Sequence, residues 1–317
     1  MTLCAALIYV AGGLALLTFG AEWLVRGAAS LARRTGVSEL AIGLTLVAFG
    51  TSTPELTVNI FASLYGAGDI TMGNVIGSNQ CNVLLILGVA GLIRPLRVQK
   101  STLWHEMPQV FACGLLVWLL AKDSWLFGYA DMLSRGDGAL LMAIFVGFLI
   151  YVARISRREP ETSQGEPLPH YGVAISIALA LAGLAMLVAG GKLVVSGATD
   201  IARVCGVSER VIGLTIVAAG TSLPELATSA IAAWRGKSDI AVGNIVGSNI
   251  FNLLLILGVS AAIAPIDYRS IFDADMAIMQ IATLILWLML LGGRRGFGRS
   301  LFLQKGDQIL FVLEKVR

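Results

Sequence analysis

Long apolar stretches, separated by short polar turns, run the length of this chain. A helix that crosses a bilayer needs about 20 mostly apolar residues, and the stretches read as five such spans in each half. In the first half they fall at about 3–30, 38–65, 70–93, 103–121 and 137–155; in the second at about 172–201, 208–235, 240–263, 272–292 and 307–314. The tenth is too short for its part. After Asp307 only QILFVL precedes Glu314 and Lys315, and six helical residues do not cross a hydrocarbon layer about 30 Å thick. That helix is expected to be truncated or only partly inserted. The first span lacks a basic leader region and a related stretch recurs later, so it is expected to be retained.

The two halves are one unit written twice. Residues 43–89 and 213–259 align at an offset of 170 without a gap and share 27 of 47 positions. The offset extends upstream to Gly20 with Gly190 and downstream to Gly136-Asp137 with Gly306-Asp307. The expected division is a first membrane repeat at 1–155, a polar, Pro-containing cytoplasmic linker at 156–171, and a second repeat at 172–317. Five spans is an odd number, so the second repeat enters the membrane from the opposite side. The expected fold class is an all-α membrane protein of about ten transmembrane helices in two inverted-topology five-helix repeats.

Composition narrows the class. The chain is 317 residues long, 56% hydrophobic and 14% charged, with a mean hydropathy of +0.81. Those values exclude a soluble globular enzyme and a disordered chain. A net charge of +3, spread along the chain, builds no phosphate-binding stripe, so no nucleic-acid partner is expected. With the N-terminus outside, the cytoplasmic loops carry 14 Lys and Arg and the outer loops 7. Four scattered cysteines without a CxxC pair, and two histidines beside polar loops, leave little material for a disulfide framework or a zinc site. The cysteines read as small buried thiols. No cofactor is expected.

Ionisable groups inside apolar spans are costly and mark functional sites. Glu55 and Glu225 stand at matching positions, each in a GTSxPEL motif within an apolar stretch. Pro54 and Pro224 lack an N–H, so the carbonyls of Gly50 and Gly220 lose their helical partners. A helix broken inside a membrane must line a cavity or be buried in protein. Such a break presents carbonyl oxygens, the hydroxyls of Thr51, Ser52, Thr221 and Ser222, and a carboxylate. Oxygen donors without nitrogen or sulfur suit Ca2+, Na+ or Mg2+. In the following spans, Ser78 with Asn82 and Ser248 with Asn252 are spaced i, i+4 and share a helix face. Polar side chains there serve either as ligands or as interhelical contacts. Asp69 and Asp239 read as N-caps. Glu22 and Lys192 differ in charge across the repeat and are left out of the site.

The pairs GTSTPEL…GNVIGSNQCN and GTSLPEL…GNIVGSNIFN resemble the two alpha-repeats of the sodium/calcium exchangers, in the Ca2+:cation antiporter superfamily, over about residues 3–292. The resemblance is to the bacterial type, without a large regulatory loop. It implies four central ion sites. Glu55 and Glu225 carry over as Ca2+ carboxylates, with the Thr51 and Thr221 carbonyls beside them. Ser52, Ser78, Asn82, Ser222, Ser248 and Asn252, with the Ala48 and Ala218 carbonyls, complete the sodium sites. Potassium-dependent relatives carry Asp at the position of Asn252, so the resemblance implies K+ independence.

The expected activity is secondary antiport of Ca2+ against Na+ by alternating access. The expected setting is a prokaryotic inner membrane, with the two ions and the lipid bilayer as partners and no obligatory protein partner. Ca2+/H+ antiport on the same fold is the close alternative, because protons on the two glutamates need none of the Ser and Asn ligands. An intramembrane hydrolase using Ser52 or Ser222 is a remote one, because Glu is the only base at hand. The chain is therefore not expected to be an enzyme.

Overall fold

A computed structural model describes residues 2–126, 128, 130–156, 171–207, 218–292, 302–305 and 308–311. Besides a single helical turn at Asp123–Leu126, its helices are α1 (Leu3–Thr35), α2 (Glu39–Thr51), α3 (Thr53–Leu64), α4 (Gly68–Ile93), α5 (Thr102–Ala121) and α6 (Arg135–Ile155) in the first half. The second half contributes α7 (Val173–Val204), α8 (Ala218–Thr221), α9 (Leu223–Trp234), α10 (Ser238–Ile263) and α11 (Phe272–Gly292). Seven of these, α1, α4, α5, α6, α7, α10 and α11, are long and apolar enough to cross a membrane. The expected span at 38–65 is divided at Ser52 into α2 and α3. The span at 208–235 is described only from Ala218 onward, and most of the linker at 156–171 lies outside the described residues.

The tenth span is a correction. Gln308–Phe311 is not helical but a strand, β5, paired antiparallel with β4 (Phe302–Lys305) and with β1 (Leu96–Val98). A run of this length is too short to satisfy its backbone groups as a spanning helix. Pairing with two neighbouring strands supplies those hydrogen bonds instead. A second small sheet joins β2 (Met132–Leu133) to β3 (Ile266–Asp267).

The repeat is visible in local backbone geometry. Ser52 and Ser222 share nearly the same conformation, φ −82° and ψ 7° against φ −88° and ψ 5°. Each precedes a helix with proline in its first turn, where the missing N–H costs nothing. A wide turn of π-helix occupies Cys81–Ile86 in α4 and Phe251–Ile256 in α10. Gly66 and Gly236 both take a left-handed φ, 70° and 71°, at the corners leading into α4 and α10.

Equivalent helices α1 and α7 pack against each other in opposite directions. A Cβ on Gly20 would lie 2.8 Å from the Gly183 carbonyl oxygen, and one on Gly27 would lie 2.6 Å from that of Ser176. Only backbones stripped of side chains approach this closely, the usual means of helix association in lipid. At the centre stands α10, the most deeply buried of the described spanning helices.

Two further expectations change. Asp69 and Asp239 are not caps; they sit in the first turns of α4 and α10, where the N-cap residues are Ala67 and Lys237. Asp69 instead pairs with Arg269, and Asp239 accepts from Gln99 Nε2 at 2.7 Å. Of the cysteines, Cys113 is buried and Cys81 half-buried, but Cys4 and Cys205 are exposed. Cys4 lies in the first turn of α1, and Cys205 caps the C-terminal end of α7.

Candidate ion-binding site

The broken helices place Glu55 and Glu225 in the first turns of α3 and α9, each 1% exposed. A helix N-terminus carries partial positive charge from its free N–H groups, which favours a carboxylate there. Among the described residues neither glutamate is ion-paired. Two buried carboxyl groups without a cationic side chain beside them leave room for a cation.

The serine at each break reaches across to the other copy. Ser52 Oγ donates to Glu225 Oε1 at 2.8 Å and lies 3.0 Å from Ser248 Oγ. Ser222 Oγ donates to Glu55 Oε1 at 3.2 Å and lies 3.4 Å from Ser78 Oγ. The threonines do the same one residue earlier: Thr51 Oγ1 donates to Asn244 Oδ1 at 3.0 Å, and Thr221 Oγ1 to Asn74 Oδ1 at 3.4 Å. Each half of the site is thus completed by the other copy.

Asn82 and Asn252 are turned by a pair of asparagines that the i, i+4 reading passed over. Asn82 Nδ2 donates to Asn249 Oδ1 and Asn252 Nδ2 to Asn79 Oδ1, both at 2.9 Å. Each amide nitrogen is engaged by the opposite copy, and the amide oxygens are left as acceptors. Among the buried atoms left without a hydrogen-bond partner are Glu55 Oε2, Glu225 Oε2, Asn82 Oδ1 and Asn252 Oδ1. A buried acceptor without a donor costs about 1–3 kcal/mol, more when charged. Carboxylate and amide oxygens are the donor types that a hard cation takes.

Hydrogen bonds bring Ser52 and Ser248 to Glu225, and Ser222 to Glu55 and Ser78; Thr51 and Thr221 bond Asn244 and Asn74, while Asn82 and Asn252 bond Asn249 and Asn79. Of the two carbonyl candidates, Ala48 O already accepts the Ser52 N–H at 3.0 Å, and Ala218 opens α8. Sequence reasoning missed Asn74, Asn244, Asn79 and Asn249. All four recur at the 170-residue offset, so the repeat itself held the signal.

The family model described as sodium/calcium exchanger protein matches residues 5–154 and 175–304. The sodium/calcium exchanger MaX1 of Methanosarcina acetivorans is 33% identical over 308 residues, 86% of this chain and 88% of that one. The inner membrane protein YrbG of Escherichia coli K12 is 37% identical over 299 residues, 91% and 89% of the two chains. The solved structure of the sodium-calcium exchanger NCX_Mj superposes with a TM-score of 0.76 at 34% identity, covering 91% of each chain.

Proposed function

The chain belongs to the sodium/calcium exchanger family, in its bacterial form, and on that footing we propose that it moves Ca2+ across the membrane in exchange for Na+, binding both at the Glu55–Glu225 centre. It is a multi-pass membrane protein and a cation/Ca2+ antiporter rather than an enzyme. The four unpartnered oxygens carry the finer reading. Two carboxylates neutralise one Ca2+. Two Na+ do the same, and three leave one positive charge. Each ion species therefore displaces the other from shared oxygens.

Na+ is favoured over H+ as the coupling ion by the two bare amide oxygens. A proton carried on a glutamate needs neither, whereas an alkali cation does. Ser52, Ser78, Ser222 and Ser248, with the Thr51, Thr221, Ala48 and Ala218 carbonyls, complete the ligands in this reading. Asn252 keeps the site independent of K+.

The arrangement is two inverted repeats, 1–155 and 172–317, joined by a cytoplasmic linker, with the N-terminus outside the inner membrane. The antiparallel contact of α1 with α7 supports the inversion, and the excess of Lys and Arg in one set of loops supports the orientation. A cysteine at Tyr65 is then labelled from outside and one at Arg94 is not; the reverse pattern overturns the orientation.

Proteoliposomes loaded with Na+, K+ or an acid interior and given radioactive Ca2+ test the coupling. Uptake driven by the outward Na+ gradient alone is expected. Uptake driven only by protons overturns Na+ coupling in favour of Ca2+/H+ antiport.

A further inference from the structure

Two asparagines outside the ligand set, Asn74 on α4 and Asn244 on α10, hold the threonines of the opposite copy, and each is itself held from behind. Asn244 is fully buried. Its Nδ2 donates to Ser229 Oγ at 2.9 Å and to the Glu225 carbonyl at 3.5 Å. Asn74 Nδ2 donates to Asn59 Oδ1 at 2.8 Å, and Asn59 Nδ2 donates to the Thr71 carbonyl at 3.4 Å. The anchors differ, Ser229 in one copy and Asn59 at its twin position in the other, and the arrangement recurs all the same.

These hydrogen bonds run in one direction only. A backbone carbonyl accepts and cannot donate. The Glu225 carbonyl therefore keeps the nitrogen end of the Asn244 amide toward α9. The Thr71 carbonyl keeps the nitrogen end of Asn59 toward itself, which turns Asn59 Oδ1 to the nitrogen of Asn74. In both copies an amide oxygen is what remains to face the threonine. The threonine hydroxyl is consequently the donor, Thr51 to Asn244 at 3.0 Å and Thr221 to Asn74 at 3.4 Å.

The Thr51 hydroxyl has one proton and two of these acceptors within reach, Asn244 Oδ1 at 3.0 Å and the Ala48 carbonyl at 3.4 Å. Bonding back to a carbonyl three or four residues earlier is the ordinary habit of a threonine in a helix. A carbonyl oxygen has two lone pairs, and Ala48 O already gives one to the Ser52 N–H. A Thr51 hydroxyl turned fully back would take the second. Asn244 draws the proton away and leaves that lone pair open.

We propose that Asn244 is a positioning residue for Na+: by holding the Thr51 hydroxyl it keeps the Ala48 carbonyl free to ligate that ion. The inference rests on the reading of Ala48 O as a sodium ligand. Asn244 touches neither the carboxylate oxygens nor the Thr51 carbonyl in this role. Rotation of the Thr51 side chain about χ1 leaves its own backbone carbonyl where it is, so the groups read as Ca2+ ligands stay in place. Asn244 thus acts on the Na+ side of the exchange.

The test is Asn244→Leu, close in volume and without the amide, measured beside Thr51→Val and the double variant. Thermal unfolding in detergent is followed as Na+ or Ca2+ is added, because an ion that binds the folded state raises its stability with concentration. In Asn244→Leu the half-saturating Na+ concentration should rise about three- to tenfold, the scale of one hydrogen-bonding contact, and that for Ca2+ by clearly less. Valine at position 51 has no hydroxyl to cover Ala48, so the double variant should match Thr51→Val in its Na+ response. Ser229→Ala loosens the Asn244 amide without removing it and should move Na+ in the same direction by less; it carries the test if Asn244→Leu does not fold. Equal shifts for the two ions overturn the inference, as does a further loss of Na+ response when Asn244→Leu is added to Thr51→Val, since damage to packing alone would add. A wild type stabilised by neither ion defeats the ion-site reading itself. A wild type stabilised by both, with every variant alike, defeats only the role of Asn244.

Discussion

At Gly66 the chain turns from α3 into α4, and at Gly236 it turns from α9 into α10, with φ alike to within a degree. The residues around these twin corners have diverged. Ala67 at the first is replaced by Lys237 at the second, and Ser63 by Ala233. At the first corner the ion pair is Asp69 with Arg269, whose side chains are 51% and 65% exposed. At the second it is Lys237 with Glu39, 2% and 6% exposed. A duplicated scaffold kept its turns and its central carboxylates, and varied what closes each end. On the proposed inverted arrangement, the copies agree where both would meet the same ion and differ where each would meet a different side of the membrane.

The largest effect should come from testing the part of the comparison that is equal. Glu55→Gln and Glu225→Gln each keep the shape of the site and remove one charge. Loss of one unit charge at about 4 Å is worth about 4 kcal/mol for each charge on the ion at an effective dielectric near 20, and Ca2+ carries two, so affinity should fall by at least about three orders of magnitude. Ca2+ flux in proteoliposomes should be abolished in both, with the protein still folded by its elution volume. If one variant keeps wild-type flux, the two copies are not equivalent at the centre.

The unequal ends give the next effect. Glu39→Gln leaves Lys237 charged and buried, which costs about 3–5 kcal/mol when a buried pair loses one partner. Asp69→Asn breaks an exposed pair, which costs about 1 kcal/mol or less. Thermal unfolding in detergent should separate the two variants clearly, and Glu39→Gln with Lys237→Met should recover most of the loss. Equal shifts for the two single variants would remove the contrast between the ends.

The sequence made some of this legible and hid the rest for identifiable reasons. Apolar stretches and the 170-residue offset located the long helices and the paired carboxylates, because a membrane span and a broken helix both leave marks on neighbouring residues. The division at Ser52 was visible through Pro54. The fate of QILFVL was not, since a short β-branched stretch takes its structure from a partner, here Leu96–Val98 far away in sequence. Asn79 and Asn249 were passed over because helical spacing finds side chains on one face, whereas their contacts cross between helices. The Lys237–Glu39 pair joins residues 198 apart, and nothing in either neighbourhood announces it.

The smallest expected effect on Ca2+ comes from breaking the equality between Asn82 and Asn252. Asn252→Asp adds a third negative charge to a site that holds two, without touching the glutamates. It also removes the Nδ2 donor to Asn79 Oδ1, and two oxygens then face each other unless the Asn79 amide turns over to donate. Asn82→Asp has the same consequence at Asn249. An extra carboxylate among two others favours a further cation or takes up a proton, since burial and like charge both disfavour its ionised form. Na+-driven flux should therefore become K+-stimulated or more steeply dependent on pH, while Ca2+ affinity moves less than in either glutamate variant. Flux in Na+ alone, with and without K+, at two pH values, distinguishes the outcomes. Matching changes in Asn82→Asp and Asn252→Asp would show that the copies share the coupling ion equally. A change in one only would assign that ion to a single half. Profiles overlaying the wild type for both would show that these amide oxygens do not line the ion path, and would return the coupling role to the serines and the two glutamates.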